Sequence, residues 1–516
     1  MIWKNTDQKK FLITISIAVL LFYFPLIIGS DYYRDDLFRV VQQKPGWSAL
    51  GRPFADLFVY ILSANWQFLP DSSPFFLVGA LLILIASTYR TIQLRNIPFN
   101  AITAVLVVTF LFNPFLLSCF LYRFDCVIMS AGVACGLLAW GYYPESKFKA
   151  AILCFAAMGF YQSYINVFIT LIMVEALYGV YCGNNLRNIF NFFVKALLTA
   201  FVTAVVFYIF DKFFLDEYAA GKSTFIFMAD NGAARYLAVI FENVYARYVG
   251  LLSTTGKVIY GVAILLAFIE IQFRFYKDTK FDHPVMRASI TSIAFLFMLP
   301  LSLGVLFGVV GDSGIPPRLM VQSILFSVAI VYLLLRFLTR IQKPSFASNL
   351  DKFAYGKLTW GIIGYILLCP LVFSYIATNA ISNQNKRDEY LIQRLATSLE
   401  KYPIDKPAYI LGGFGTAPFV KLLTKDMRLL AHVIPHNSDW TLWLRLKEYG
   451  YDNIIWTATV IDVNQEVMKL CSSHLEPDVK HPYFKIYDLK DYLFIWVGNR
   501  DMCLTEYNTP PKKKSN

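Results

Sequence analysis

The chain has 516 residues, of which 57% are hydrophobic and only 16% charged, with a net charge of +12. That balance excludes an ordinary soluble domain, in which about 25% of residues are charged. The basic excess does not point to nucleic acid, because Lys and Arg are spread between apolar runs, where they act as topology determinants.

The first apolar run, Phe11–Gly29, follows Lys4, Lys9 and Lys10. No small-x-small cleavage site comes after it, so it reads as a retained anchor rather than a signal peptide. Residues 30–74 form a polar and aromatic loop. It opens with Asp31-Tyr-Tyr-Arg34-Asp35-Asp36-Leu-Phe-Arg39 and continues through Gly46-Trp47 and Gly51-Arg52-Pro53. Its apolar stretch Phe54–Phe68 is too short to cross a bilayer and reads as an interfacial or re-entrant helix. Further spans are predicted at 75–94, 97–117, 127–142, 150–166, 167–182, 189–210, 250–273, 288–310, 319–338 and 358–379, giving about eleven in all. The stretch 150–182 can also be one long helix, or a helix plus a re-entrant piece. Two later polar loops stand out: 211–249, with Lys222, Asp230, Arg235 and Arg247, and 311–318, with Asp312 and Arg318. Lys and Arg are more numerous on the side of the N-terminus. That places the N-terminus in the cytoplasm and all three polar loops outside.

Composition changes abruptly near Asn379. Residues 386–401 have the periodicity of an amphipathic helix. Strands are predicted at Ala408–Leu411, Asn453–Thr457 and Tyr492–Val497, and helices at Pro418–Thr424 and Trp440–Glu448. The chain therefore divides into a membrane bundle, 1–380, and a small α/β domain, 381–516, on the outer side. Cys471 and Cys503 are the cysteines of that domain and can pair in an oxidising compartment. The other six fall in or beside spans, where Cys packs as a small apolar residue. The end of the chain, Pro510-Pro511-Lys512-Lys513-Lys514, reads as a charged tail. No internal repeat is visible, which weighs against a secondary transporter.

The adjacent carboxylates Asp35 and Asp36 have two readings. One is a general base that takes a proton from an attacking hydroxyl, with the second carboxylate tuning or orienting it. The other is a cap for the helix that follows. Arg34, Arg39 and Arg52 and the position at a membrane mouth favour the first, since charges there mark functional pathways. In Tyr122-Arg123-Phe124-Asp125, Arg123 and Asp125 form either a structural ion pair or, through Arg123, a phosphate contact suited to a planar fork. Gln162, Ser163, Tyr164 and Asn166 are polar residues in an apolar helix and read first as interhelix hydrogen bonds. Gly412-Gly413-Phe414-Gly415 lacks dinucleotide-binding spacing and reads as a tight turn. The five histidines show no ligand spacing, so neither a metal nor a cofactor is predicted.

The block Asp31…Arg34-Asp35-Asp36…Arg39…Gly46-Trp47…Gly51-Arg52-Pro53 after a first transmembrane helix resembles the bacterial and phage Gtr-type O-antigen glucosyltransferases of serotype conversion. Tyr122-Arg123-Phe124-Asp125 and Tyr161-Gln162-Ser163 resemble later blocks of that family. The resemblance implies a GT-C-like polytopic helical protein of the bacterial inner membrane. It implies transfer of a glucosyl group from undecaprenyl-phosphate glucose to a hydroxyl of the O-antigen of lipopolysaccharide, on the periplasmic face. A donor synthase and a flippase would be partners. Carried onto this chain, Asp35 or Asp36 is the base. Arg52, Arg123, Lys222 and Arg318 hold the lipid phosphate. Asp31, Arg34, Arg39, Trp47, Tyr122, Asp125 and Gln162 contact substrate. A transporter or flippase of lipid-linked sugars, or a surface-glycan polymerase or ligase, is the alternative.

Overall fold

The computed structural model describes residues 6–29, 32–214, 224–225, 244–277, 282–303, 309–310, 316–341, 349–435, 438–456, 463–473, 475–498 and 502–504. Their contacts divide the chain into two compact units: Met1–Ser30, Pro45–Ala377 and Asp426–Val433 form the first, and Asp31–Lys44, Thr378–Lys425 and Ile434–Asn516 the second.

The first unit is a helical bundle. Its helices are α1 (Thr6–Ile28), then, with α2 set aside in the second unit, α3 (Pro53–Ser63), α4 (Phe75–Leu94), α5 (Ala101–Leu111), α6 (Pro114–Phe120), α7 (Asp125–Tyr142), α8 (Lys147–Phe160), α9 (Ile165–Cys182), α10 (Leu186–Asp211), α11 (Thr254–Lys277), α12 (Pro284–Leu301) and α13 (Leu325–Ile341), followed by the first part of α14 (Asn349–Leu399). Among the described residues nine helices are long and apolar enough to cross a membrane, or ten if the bent pair α5–α6 is one span. The chain is thus a polytopic helical membrane protein, as its hydropathy implies.

Three predicted elements are corrected. The span 97–117 is broken, with α5 and α6 meeting at 54°. Pro114 cannot continue α5 but suits the first turn of α6, and Asn113 caps that turn by accepting from the backbone N–H groups of Phe115 and Leu116. The span 150–166 ends at Phe160. Tyr161 is extended, and a single 3-10 turn, Gln162–Tyr164, leads into α9. The amphipathic helix at 386–401 is the end of the 51-residue α14. The segment after Arg52 is the 11-residue α3, about 16 Å long and so too short to span. Gly159 lets α3 approach α8: a Cβ there would lie 2.3 Å from the ring of Phe54.

The second unit is an α/β layer structure with a five-stranded mixed sheet. In chain order β1 (Thr224–Phe225) and β2 (Val309–Val310) belong to the first unit, where they pair antiparallel. The sheet of the second unit holds β3 (Ala408–Gly412), β4 (Ile454–Trp456), β5 (Val479–His481), β6 (Phe484–Asp488) and β7 (Leu493–Val497), in the order β4-β3-β7-β6-β5. β3 runs parallel to β4 and β7, and β6 runs antiparallel to β7 and β5. β7 is buried along its whole length because both faces are covered. Ile495 packs with Leu391, Leu395, Leu442 and Leu446 on one face, and Phe494 and Trp496 pack with Val467 and Leu470 on the other. β5 and β6 have no counterpart in the sequence-based strands.

The glycine-rich turn after β3 is a structural joint. Gly412 has φ +94°, and a Cβ there would lie 2.1 Å from the carbonyl oxygen of Val497, so only glycine fits. The carbonyl of Gly415 accepts from Gln384 and Arg387, and the N–H of Ala417 donates to Gln384. Cys471 and Cys503 are disulfide-bonded.

Candidate functional site

Within the first unit the break between α8 and α9 builds a cationic cluster. Tyr161 leaves the helix with an extended backbone, and its side chain meets two arginines. Arg52 lies over one face of that ring, its guanidinium carbon 4.0 Å from the centroid. Arg318 donates through Nε to the Tyr161 hydroxyl (3.0 Å) and through Nη1 to the Tyr122 hydroxyl (2.8 Å). Two guanidinium groups therefore converge on one tyrosine. The Nε of Arg52 is buried with no hydrogen-bond partner among the described residues. Tyr161 also stacks on Tyr164 (4.9 Å between centroids), whose hydroxyl meets the Cys119 sulfur at 3.1 Å. Gly132 of α7 makes room for Tyr164: a Cβ would sit 2.6 Å from its ring.

The loop that carries Arg52 is fastened at several points. Trp47 is fully buried, and its indole N–H donates to Asp125 at the start of α7 (2.9 Å). A buried indole N–H without an acceptor would be costly, which makes this pairing a fixed point. Asp56, on the first turn of α3, accepts from the backbone N–H groups of Trp47 (2.9 Å) and Ser48 (2.7 Å) and from the Ser48 hydroxyl. Gln162 donates to the carbonyls of Leu50 (3.0 Å) and Gly51 (2.6 Å). Arg123 forms an ion pair with Asp71 (2.9 Å).

The structure thus brings together Trp47, Arg52, Tyr122, Asp125, Gln162 and Arg318, with Arg123 on its own ion pair. Lys222 and Asp31 lie outside the described residues. Sequence reasoning missed Asp56, Asp71 and the pivotal place of Tyr161. For Asp56 a signal existed: a carboxylate on the first turn of an apolar helix faces free N–H groups and the positive end of the dipole.

The acidic motif belongs to the second unit. Its residues form α2 (Asp35–Gln42), which packs against α17 (Asp439–Glu448); in chain order α15 (Pro418–Asp426) and α16 (Leu430–Val433) come between α14 and α17. Asp35 is exposed, whereas Asp36 is fully buried and accepts from the backbone N–H of Tyr33 (3.0 Å). Arg39, in the last turn of α2, is 5% exposed. Arg34, which precedes the helix, has φ +46° and lies 5.3 Å over the Tyr33 ring. A non-glycine residue in that backbone region is strained, and such strain gathers at functional sites. Beside it is a cleft of about 290 Å³ whose lining includes Tyr32, Arg34, Asn385, Trp440 and Arg445. Arg445 lies between Glu448 (3.5 Å) and Glu389 (3.8 Å). Burial pushes the Glu448 carboxyl up, an effect that Arg445 opposes. Two aromatic faces beside charged and amide donors are what a sugar ring needs: apolar C–H faces to stack and hydroxyls to bond.

A family model for the glucosyl transferase GtrII matches residues 23–338. A protein of Salmonella phage P22, described as an uncharacterized 55.3 kDa protein in the gtrB 5' region, is 22% identical over 450 residues, covering 85% of this chain and 89% of the relative. No solved structure matches. The matched region takes in α2, Trp47, Arg52, Tyr122, Tyr161 and Arg318, and the chain belongs to the GtrII glucosyl transferase family, as a membrane glucosyltransferase.

Proposed function

We propose that this chain transfers a glucosyl group from undecaprenyl-phosphate glucose to a hydroxyl of O-antigen repeat units, on the periplasmic face of the bacterial inner membrane. The observation that carries the donor half is the convergence of Arg52 and Arg318 on Tyr161. Paired guanidinium groups among membrane helices suit a phosphate ester whose prenyl chain stays in the bilayer. They stabilise the charge that the departing phosphate gains as the glycosidic bond breaks. With such a leaving group the reaction needs a base more than an acid.

Asp35 is that base. It takes the proton of the acceptor hydroxyl while the hydroxyl oxygen forms its bond to the anomeric carbon and the carbon–oxygen bond to phosphate breaks. A single displacement of this kind inverts the anomeric centre. The exposure of Asp35 supports this role, and the burial of Asp36 supports a positioning role for its neighbour. Tyr32, Arg34, Asn385, Trp440 and Arg445 receive the acceptor sugar. Trp47, Asp125 and Gln162 position the Arg52 loop. Arg123 and Lys222 are further cations for the phosphate, and Arg39 and Asp31 support the acidic motif. The disulfide Cys471–Cys503 supports an oxidising compartment for the second unit. A donor synthase and a flippase supply the lipid-linked sugar.

The test is transfer by the purified chain in liposomes that hold synthetic polyprenyl-phosphate glucose, with O-polysaccharide as acceptor and the product read by mass spectrometry. Wild type should add one hexose per repeat, and Arg52→Gln and Arg318→Gln should each lose about 100-fold or more. Equal transfer from a nucleotide-glucose without the lipid donor, or full activity in both variants, would overturn the proposal.

A further inference from the structure

The other end of the bundle holds a second site that the transfer reaction does not use. α4 and α7 both start near the Asp71–Arg123 ion pair, and α4 then runs for 20 residues, about 30 Å. At its far end an open cleft of about 650 Å³ lies between the ends of α4 and α7 and the starts of α8 and α10. Its lining includes Arg95, Lys147, Glu175, Asn188, Asn191 and Lys195.

The charges there are arranged for an anion. Glu175 is already satisfied: it accepts from Arg95 and from the indole N–H of Trp140 (2.7 Å), and Arg95 in turn lies 4.8 Å over the Trp140 ring. Glu175 and Arg95 thus neutralise each other and leave Lys147 and Lys195 in excess. The Nη1 of Arg95 is buried with no hydrogen-bond partner among the described residues. Asn188 and Asn191 add amide donors. On the same two helices, next to the lysines, Phe148, Ile152, Phe190 and Val194 are exposed. A cationic cleft with amide donors, opening beside exposed apolar side chains at the end of membrane helices, matches an amphiphile with a phosphate head.

We infer that this cleft binds the phosphodiester headgroup of an anionic phospholipid, with the acyl chains along α8 and α10. Free inorganic phosphate shares the head-group chemistry but has nothing to place against Phe148 and Phe190. The assignment is independent of the donor and acceptor proposed above, because its lining shares no residue with the Arg52–Arg318 cluster or with the cleft beside Arg34.

The experiment is thermal unfolding of the purified full chain in a neutral maltoside detergent, titrated with phosphatidylglycerol, phosphatidylcholine or inorganic phosphate. Phosphatidylglycerol should raise the midpoint with dose, phosphatidylcholine and inorganic phosphate should not, and high salt should weaken the effect. In Lys147→Gln/Lys195→Gln the apparent affinity for phosphatidylglycerol should fall about 30-fold, while Lys147→Arg/Lys195→Arg keeps it. An equal response to phosphatidylcholine removes charge recognition and overturns the inference. So does an equal response to inorganic phosphate, which makes the site a free-anion site, or a wild-type response in the glutamine variant.

Discussion

Tyr161 holds two arginines by different means, so its two substitutions should separate. Tyr161→Phe removes only the hydroxyl that accepts from Arg318 at 3.0 Å. A hydrogen bond to a charged group contributes about 1.5–3 kcal/mol, so loss of that restraint should cost about 10- to 100-fold in transfer. Arg52 keeps its ring at 4.0 Å in that variant. Tyr161→Leu removes the ring as well, and with it a cation–π contact of about 0.5–2 kcal/mol, a further ~2- to 30-fold. The assay is the liposome transfer reaction, with lipid donor and polysaccharide varied separately and protein folding checked by its elution profile. The loss should appear in the dependence on the lipid donor, with the acceptor KM unchanged. Equal activity in the two variants, or a loss that falls on the acceptor alone, would refute the view that Tyr161 positions a phosphate-binding pair.

Two further outcomes follow from the second unit. Asp35→Asn should abolish hexose addition with normal protein level, whereas Asp36→Ala, which strips the Tyr33 N–H of its acceptor, should lower stability by about 1–3 kcal/mol and keep measurable transfer; mass spectrometry of the O-antigen and a melting curve distinguish them. Cys471→Ser/Cys503→Ser opens a link across a sequence separation of 32 residues and should cost ~3.7 kcal/mol in the chain-entropy account, read as a lower melting midpoint in the double variant.

Much of this architecture is legible in the sequence. Long apolar runs such as 75–94 and 189–210 mark their helices because a bilayer demands both length and hydropathy. The strands at 408–412 and 493–497 are marked by short apolar runs bounded by turn residues. β5 and β6 escape that reading, since Val479–His481 and Phe484–Asp488 mix lysine with apolar residues. The break at Tyr161 escapes it too. Hydropathy registers that Gln162 and Ser163 are polar, but not that the backbone there is released so that a ring can serve two arginines. Asp35, Asp36, Arg52 and Arg318 are all visible as charges near apolar runs. What periodicity cannot give is their grouping: Arg52 with Arg318 through a shared tyrosine, and Asp36 with the backbone of its own turn. Those depend on the folded backbone and on tertiary partners that are distant in sequence.

The second unit is assembled from segments that lie far apart in sequence. α2 packs on α17, which follows it in sequence only after the rest of the membrane bundle. During synthesis the acidic helix therefore emerges early and waits, without its packing partner, until the membrane helices and then α17 have left the ribosome. An unfinished polypeptide carries the proposed base but not the surface that orders it, which makes the motif a check on completeness. The same arrangement bears on truncation: a shortened chain that stops at the end of the membrane helices loses the support of Asp35 along with the tail. An inactivating truncation therefore combines two losses, and point substitutions in Trp440 or Arg445 separate them.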